Sequence, residues 1–397
     1  MITRMYSFPL TSFNRTSVTS LFIAVVLSCS LPFDVLAGTE IQDSIVISDT
    51  YRRYTIILPS GYQENKAYPL VINLHARCSN MQEHITYTNM NAAADAAGYI
   101  VAYPQGLEDP NDPFDCLDWN DNGRHQWDDV AFISTLIDSL IARYRVAPNQ
   151  VFACGLSRGG AMSYTLACTL GARLSGIAVI SGGFAIRPLI NSPRYTCEGA
   201  PPIPMLIMHG DQDPDINYNG YPEYWAPVDS ILAFFRDRNN CTKGMTTELL
   251  PDNDAGDNST VVRIVYDSCA LTFYRIEGGR HAWPGSQGRI LIEIPPKNMD
   301  IDASLEILKF FGRVNTPTGV SDPPLSKLHA VYPNPFWDKL SVTSLTPSEH
   351  LELYNSFGET MWCGNDIAKQ DFSHLPSGVY FLRIFENHAT RTVSLVK

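Results

Sequence analysis

The segment Gly155 to Gly159, which reads Gly-Leu-Ser-Arg-Gly, places Ser157 where a serine can do chemistry. The pattern Gly-x-Ser-x-Gly holds a serine on a sharp turn between a strand and a helix. Residues 150–154 predict the short buried strand, and residues 161–170 predict the helix. The helix N-terminus offers N–H groups and a partial positive charge to an oxyanion. This combination indicates nucleophilic attack on a carbonyl carbon. The alternative is a glycine-rich turn that only begins a helix.

A serine hydroxyl needs a general base, and two histidines follow Ser157 before the helical part of the chain ends. His209 ends a predicted buried strand, which favours a structural role. His281 lies in a loop beside glycines and an aromatic residue, a place that suits a base. In hydrolases with a serine at such a turn, the chain order is serine, then an acid, then histidine. We therefore predict His281 as the base.

The base needs an acid that orients it, and the loop after Gly210 supplies three aspartates. Asp211, Asp213 and Asp215 all qualify. Pro214 fixes the turn after Asp213, so we predict Asp213, with Asp215 as the second choice. An acidic cluster that binds calcium is the alternative, but no glutamate or asparagine follows at the spacing of a calcium loop.

The oxyanion needs two N–H donors. The backbone N–H of Arg158, directly after the nucleophile, is the first. The loop that follows a buried strand, at Ala76 and Arg77, is expected to provide the second. No histidines and cysteines stand at metal-ligand spacing, and no glycine-rich loop precedes a lysine. We therefore expect neither a metal nor a cofactor.

Four aromatic residues lie in the loops near these groups: Phe114, Trp119, Trp127 and Trp283. If Trp119 and Trp283 face the site, they bind substrate as flat apolar walls that suit an aromatic acyl group. The alternative is that the tryptophans only pack the loops.

The elements that must position these residues alternate between strand and helix, which predicts an α/β fold with a mostly parallel sheet and helices on both faces. The predicted strands are a pair within 41–59, then 69–75, 99–104, 150–154, 176–181, 204–210 and 271–276. The predicted helices are 83–97, one capped at Asp128 and Asp129, 161–170, 227–238 and 303–311. Active sites in such sheets lie beyond the carboxyl ends of the strands.

The two ends of the chain differ from this middle part in composition and in predicted structure. Residues 1–37 combine a basic start, an apolar run and a small-residue cleavage pattern, which predicts a signal peptide cut after Ala37. The alternative is lipidation at Cys29. Residues 315–327 predict a linker. Residues 328–397 predict a small all-β sandwich, which leaves 38–314 as the catalytic domain.

The net charge and the cysteine content limit which partners the protein can bind and in which compartment it can work. The formal net charge of −12 over 397 residues argues against nucleic acid or an anionic membrane as a partner. An exported chain permits disulfides, and eight of nine cysteines remain after signal removal. We expect Cys154 as a buried thiol and Cys363 unpaired in the tail. The predicted disulfides are Cys78–Cys116, Cys168–Cys197 and Cys241–Cys269.

Residues 53–311 resemble the secreted α/β-hydrolase esterases of the polyhydroxybutyrate depolymerase and feruloyl esterase type. The matching segments are 74–75, 97–99, 103–104, 119–120, 128–130, the Ser157 turn with 161–162, 166–168, 209–210 with 213–214, and 281 with 283–285. The resemblance implies hydrolysis of carboxylic esters by Ser157, Asp213 and His281. Feruloyl or acetyl esters of plant polysaccharide are the expected substrates. This chain departs from the family at Ala76, where a glycine is usual, and continues with Arg77.

Other functions compete with this one. A polyester depolymerase is the alternative within the family. A non-catalytic binding protein on the same fold and a serine peptidase are alternatives of other classes.

The tail resembles the C-terminal sorting domain of the type IX secretion system, through residues 332–336, Gly358 and 375–380. That implies outer-membrane secretion machinery as a partner and a secreted or cell-surface enzyme. A carbohydrate-binding sandwich is the alternative.

Overall fold

The computed structural model describes residues 38–184, 197–222, 224–314, 331–332, 336–342, 349–355, 359–386 and 389–397. The predicted signal peptide, 1–37, and the predicted linker, 315–327, lie outside the described residues. In the part of the chain that is described, no helix is long and apolar enough to cross a membrane.

The centre of the protein is a ten-stranded sheet. The strands up to the end of this region are β1 (Glu40–Ile47), β2 (Thr50–Ile57), β3 (Tyr68–Leu74), β4 (Ile100–Pro104), β5 (Leu107–Glu108), β6 (Leu117–Asp118), β7 (Val146–Leu156), β8 (Gly176–Ile180), β9 (Met205–Gly210), β10 (Met245–Leu249), β11 (Thr260–Tyr266) and β12 (Leu271–Glu277). The sheet order is β1-β2-β4-β3-β7-β8-β9-β12-β11-β10, and β5 and β6 form a separate ribbon. The strands from β4 through β12 in this order are parallel, as the apolar runs predicted.

Helices cover both faces of this sheet. They are α1 (Met81–Thr88), α2 (Met90–Ala97), α3 (Asp129–Tyr144), α4 (Arg158–Thr169), α5 (Val228–Arg238) and α6 (Ala303–Val314). Successive residues of β3 show the division, because Leu70 and Ile72 pack in one core cluster while Val71 packs in another. The first cluster includes α3, α4 and α5, and the second includes α2 and α6. The α/β fold class is therefore confirmed.

The helix predicted over 83–97 is in fact two helices. Asn89 separates them with a φ of 51°, a left-handed conformation that asparagine tolerates better than most residues. The hydroxyl of Ser304 on α6 donates a hydrogen bond to the carbonyl of Thr88 at 2.7 Å, which satisfies a carbonyl at the break. A partner from a distant helix stabilises the break, so periodicity could not reveal it.

The antiparallel strands β10 and β11 were missed in the sequence. Strand β10 is exposed at all five positions, so no alternation of apolar and polar residues marks it. Strand β11 pairs with β12 on one side and with β10 on the other, so β10 forms the edge of the sheet.

The C-terminal region forms small antiparallel sheets, as its short alternating segments predicted. Its strands are β13 (Val331–Tyr332), β14 (Ser341–Val342), β15 (His350–Asn355), β16 (Thr360–Gly364), β17 (Val379–Glu386) and β18 (Ala389–Val396). Four of them form a sheet in the order β16-β15-β17-β18, and β13 pairs with β14. This region has its own buried cluster, which includes Phe336, Leu353 and Leu382.

Candidate active site

The serine turn joins β7 to α4 with strained backbone geometry. Ser157 has a φ of 56° and a ψ of −116°, and its N–H donates to the carbonyl of Ile180 at 2.9 Å. A Cβ at Gly159 would lie 2.1 Å from the carbonyl oxygen of Leu74, so only glycine fits there. A non-glycine residue held at positive φ costs free energy, and such strain is typical of functional sites. The turn thus holds the Ser157 side chain at the end of β7, where it is 4% exposed.

The structure brings His281 and Asp213 together. The Nδ1–H of His281 donates to Asp213 Oδ2 at 2.7 Å, and both side chains are buried. Asp213 follows β9 and His281 follows β12, and these strands are parallel neighbours. Their carboxyl ends therefore meet, as the sequence predicted for an acid and a base.

The loop after β9 holds Asp213 in one orientation. Its Oδ1 accepts the backbone N–H groups of Asp215 and Ile216, both at 2.9 Å. Burial raises the pKa of Asp213, but its hydrogen bond to His281 and the nearby histidines outweigh burial and lower that pKa overall. A carboxylate fixed in this way stays ionised and can orient a base.

The pKa of His281 lies above its ordinary value. Burial lowers this pKa, but the hydrogen bond to Asp213, the charge of Asp213 and the charge of Asp215 together raise it. Within the described part of the protein, His281 Nε2 is buried without a hydrogen-bond partner. A ring held at Nδ1 and free of a hydrogen bond at Nε2 is arranged to accept a proton at Nε2.

The other acid and base candidates take different places. Asp215 Oδ2 lies 3.6 Å from His281 Nε2, and the Asp215 side chain is 55% exposed. Asp211 accepts the N–H of Gly278 at 2.8 Å and does not contact His281. His209 donates from Nε2 to the carbonyl of Ile216 at 2.7 Å, which is a structural contact.

The segment expected to give the second oxyanion donor is held by its neighbour His75, which sequence reasoning did not assign a role. His75 Nδ1–H donates to the carbonyl of Ala76 at 2.8 Å, and Nε2 accepts the N–H of Gly106 at 2.9 Å. Burial lowers the pKa of His75 to about 4, so the ring is neutral and can both donate and accept. Ala76 is fully buried on this segment, and Arg158 begins α4 at the serine turn.

The side chains of Arg77 and Arg158 both extend to Asp118 on β6. Arg158 Nε donates to Asp118 Oδ1 at 3.0 Å, and Arg77 Nε lies 3.8 Å from Asp118 Oδ2. Residues 105–126 of the sequence are rich in Asp, Asn and Pro, which predicts a loop. The excess of aspartate there was the one available signal, and it did not single out Asp118.

Both tryptophans predicted to bind substrate are fully buried in the structure, with their N–H groups bonded inside the protein. Trp119 is fully buried, and its Nε1–H donates to the carbonyl of His75 at 2.7 Å. Trp283 is also fully buried, and its Nε1–H donates to Ser304 Oγ at 3.2 Å while its ring meets His84 edge-on. Both indole rings pack the loops because their N–H groups find buried acceptors.

The cysteines pair in the structure as they were paired from the sequence. Disulfides join Cys78 to Cys116, Cys168 to Cys197 and Cys241 to Cys269. Cys154 is a buried thiol and Cys363 an exposed one. Burial raises the pKa of Cys154, which keeps it protonated and unreactive.

Among the residues that the structure describes, no group of three or more His, Cys, Asp and Glu side chains could hold a metal ion.

Two stretches of the chain match known sequence families. Residues 52–186 match the family described as Esterase PHB depolymerase, where PHB is polyhydroxybutyrate. Residues 330–397 match the family described as Secretion system C-terminal sorting domain.

Individual relatives extend the first match. Feruloyl esterase C of Emericella nidulans is 33% identical over 250 residues, which cover 60% of this chain and 80% of the relative. Feruloyl esterase D of Neurospora crassa is 29% identical over 254 residues, which cover 59% of this chain and 75% of the relative. Among solved structures, an acetyl xylan esterase from Aspergillus awamori matches 69% of this chain and 100% of its own, at 16% identity and a TM-score of 0.47.

Proposed function

Since this chain belongs to the esterase family of polyhydroxybutyrate depolymerases and feruloyl esterases, we propose that it hydrolyses feruloyl or acetyl esters of plant polysaccharide through Ser157, His281 and Asp213. It is a serine carboxylic ester hydrolase with a secretion sorting domain. The observation that carries the proposed mechanism is the 2.7 Å hydrogen bond between His281 Nδ1 and Asp213 Oδ2, and the strained backbone turn at Ser157 supports it.

The first half of the reaction acylates the enzyme. Ser157 Oγ attacks the ester carbonyl carbon, and its proton passes to His281 Nε2. The carbonyl oxygen becomes an oxyanion that accepts hydrogen bonds from the N–H of Arg158 and from an N–H of Ala76 or Arg77. When the tetrahedral intermediate collapses, the C–O bond to the alcohol breaks, and His281 returns its proton to the leaving alkoxide.

The second half restores the serine. A water molecule gives a proton to His281 Nε2 and attacks the acyl carbon, and the bond to Ser157 Oγ then breaks with return of the proton. Asp213 stabilises the imidazolium form of His281 in both halves without itself becoming protonated. No oxidant, metal or cofactor takes part in these steps.

Two observations support an aromatic acyl group. The relatives above are named feruloyl esterases. A groove of about 360 Å³ also begins one residue after Arg77, with Cys78 and Cys116 in its lining and Phe114 and Leu291 exposed at 81% and 83%, although Ser157, Asp213 and His281 do not line it. A flat feruloyl ring can bury area against such apolar side chains, which the buried tryptophans cannot offer.

The test of mechanism replaces Ser157 and His281 with alanine. Each variant is expected to lose ester hydrolysis with its thermal unfolding nearly unchanged. An aryl fluorophosphonate should label wild-type Ser157 and silence the enzyme. Activity that survives complete labelling would exclude this mechanism.

The test of substrate compares kcat/KM on a feruloylated sugar, an acetylated xylan and a 3-hydroxybutyrate oligomer. We expect the polysaccharide esters to be the better substrates. The second candidate, a polyester depolymerase, is supported by the family match of residues 52–186. A higher kcat/KM on the oligomer would favour it.

For export, we propose a signal peptide at 1–37, a catalytic domain at 38–314, a linker at 315–327 and a sorting domain at 328–397 that directs passage across an outer membrane. The match of residues 330–397 supports the last of these. N-terminal sequencing of the secreted enzyme tests the first cleavage, and it should begin at Gly38.

A further inference from the structure

The residues expected to donate to the oxyanion come from two separate parts of the chain. Arg158 begins α4 directly after the nucleophile, and Arg77 lies in the loop after β3. An oxyanion hole works only if its N–H groups are held in advance about 2.7–3.1 Å from the position of the developing charge. Something must therefore fix one segment relative to the other.

The side chains of these two residues converge on one carboxylate. Asp118 Oδ1 accepts from Arg158 Nε at 3.0 Å, and Asp118 Oδ2 lies 3.8 Å from Arg77 Nε. Asp118 is completely buried, and Oδ1 also accepts the N–H of Trp119 at 2.7 Å. Arg124 forms a further ion pair with Oδ2.

Other contacts hold the carboxylate and its partners in place. The guanidinium of Arg158 binds Asp121 through two hydrogen bonds, at 3.0 and 2.5 Å, and Arg77 pairs with Asp112. Three arginines thus face three aspartates, and of the arginines only Arg158 is buried, since Arg77 and Arg124 are each 44% exposed. The Cys78–Cys116 disulfide and the hydrogen bond from Cys78 N–H to the carbonyl of Leu117, at 3.0 Å, join the loop of Arg77 to the segment that carries Asp118.

We propose that Asp118 is a positioning residue that sets both halves of the oxyanion hole through Arg158 on one side and Arg77 on the other. Asp118 does not touch substrate in this scheme. It restrains the two arginine side chains and, through them, the peptide groups that carry the N–H donors. The arginine at position 77, next to the alanine that stands where the family usually has glycine, provides the second tether. This proposal rests on the serine mechanism proposed above.

The experiment compares Asp118→Asn and Arg77→Met with wild type on methyl ferulate. For Asp118→Asn we expect kcat to fall about 10- to 100-fold with KM changed less than about two-fold, because misplaced donors weaken only the transition state. The inhibition constant of a phenyl trifluoromethyl ketone, whose adduct places an oxyanion in the hole, should rise by the same factor as kcat falls. The acidic limb of the pH profile should not move, because Asp213 and His281 are untouched.

Arg77→Met is the second variant, since a side chain that is 44% exposed can be replaced without unfolding the protein. It should lose less in kcat than Asp118→Asn and add nothing further in the Asp118→Asn background, because both act through one contact.

Asp129→Asn is the matched control. Asp129 is an equally buried aspartate, pairs with Arg52 and accepts the N–H of Asn120, but contacts neither oxyanion residue. It should lower thermal stability with kcat per titrated site close to wild type.

Each outcome decides the proposal. A wild-type kcat in Asp118→Asn, counted per fluorophosphonate-titrated site, would overturn it, as would a kcat loss without the parallel loss of ketone affinity. If Asp118→Asn does not fold, Arg77→Met decides the proposal. A loss of kcat with an equal loss of ketone affinity in Arg77→Met supports it, and the absence of that joint loss refutes it. Activity in Ser157→Ala would instead overturn the mechanism, so the two failures are distinguishable.

Discussion

At the scale of single residues, the carboxylates around His281 determine how the site responds to pH. In the proposed mechanism His281 must be neutral to accept the serine proton, so activity should fall as pH drops through its raised pKa. Asp213 raises this pKa through both a hydrogen bond and its charge, whereas the more distant Asp215 acts by charge alone. The two aspartates therefore make different predictions.

Asp213→Asn should lower kcat about 10⁴-fold, because a neutral amide does not stabilise the imidazolium and lets the ring take the wrong tautomer. It should also move the acidic limb of kcat/KM to lower pH, since the charge of Asp213, which raises the His281 pKa, is removed while that of Asp215 remains. Asp215→Asn should move that limb in the same direction with kcat within about two-fold, since this side chain is half exposed. Profiles of kcat/KM against pH measure both effects. A large loss of kcat in Asp215→Asn together with a small loss in Asp213→Asn would mean that Asp215, and not Asp213, is the acid.

Aromatic residues divide into those that pack and those that can meet substrate. Trp283→Ala should lower turnover of aromatic and acetyl esters by equal factors and destabilise the fold by about 3–5 kcal/mol, because it empties a buried site. Phe114→Ala should raise KM for methyl ferulate and leave acetyl esters and stability unchanged, because this ring is 81% exposed beside the groove. Steady-state kinetics on the two esters and thermal unfolding test the pair. A selective loss of aromatic turnover in Trp283→Ala would restore it as a substrate contact.

At the scale of elements, the serine turn depends on close packing of α4 against β3. A Cβ at Gly159 would meet the carbonyl oxygens of Leu74 and His75 at 2.1 and 2.6 Å, and backbone atoms cannot move aside as a flexible side chain can. Gly159→Ala should therefore abolish activity or yield insoluble protein. Gly61→Ala is the control, because nothing lies within 4 Å of its Cβ position. Normal activity in Gly159→Ala would show that the turn tolerates a shift of α4.

The Cys241–Cys269 disulfide links the end of α5 to the turn between β11 and β12. The two cysteines are 28 residues apart, for which the chain-entropy model gives about 3–4 kcal/mol of stability. Replacing both with serine should lower the free energy of unfolding by about that amount without changing kcat. Denaturant unfolding measures the loss. Mass mapping of a non-reduced digest checks the pairing, and a disulfide at Cys154 would contradict it.

At the scale of the whole molecule, the C-terminal region has a buried cluster of its own, separate from those of the ten-stranded sheet. Truncation after Asn315 keeps α6 whole, since that helix ends at Val314. The truncated enzyme should retain full kcat after purification but accumulate in the periplasm of its host. Cell fractionation and ester assays measure the two effects. A large loss of kcat would mean that the tail contributes to catalysis. Secretion of the truncated enzyme would mean that the tail is not its export signal.

Local chemistry explains how much of the candidate site could be predicted from the sequence. The strand–serine–helix turn, the aspartates after β9 and the histidine after β12 each follow from short patterns. Parallel strands bring their carboxyl ends to one edge, so Ser157, Asp213 and His281 could be assigned a common site from chain order alone. The tail and the alternation of strands and helices were equally visible, because apolar periodicity records which face is buried.

Only the tertiary structure decided where long side chains end. Burial of Trp119 and Trp283 depends on acceptors from residues 75 and 304, and the break at Asn89 depends on Ser304; none of these is a sequence neighbour. The exposed strand β10 has no apolar alternation, so only its pairing reveals it. The role proposed for Asp118 depends on the tertiary structure, because arginines from two distant segments reach its one buried carboxylate. Such a convergence is a property of distances in space, and no spacing along the chain encodes it.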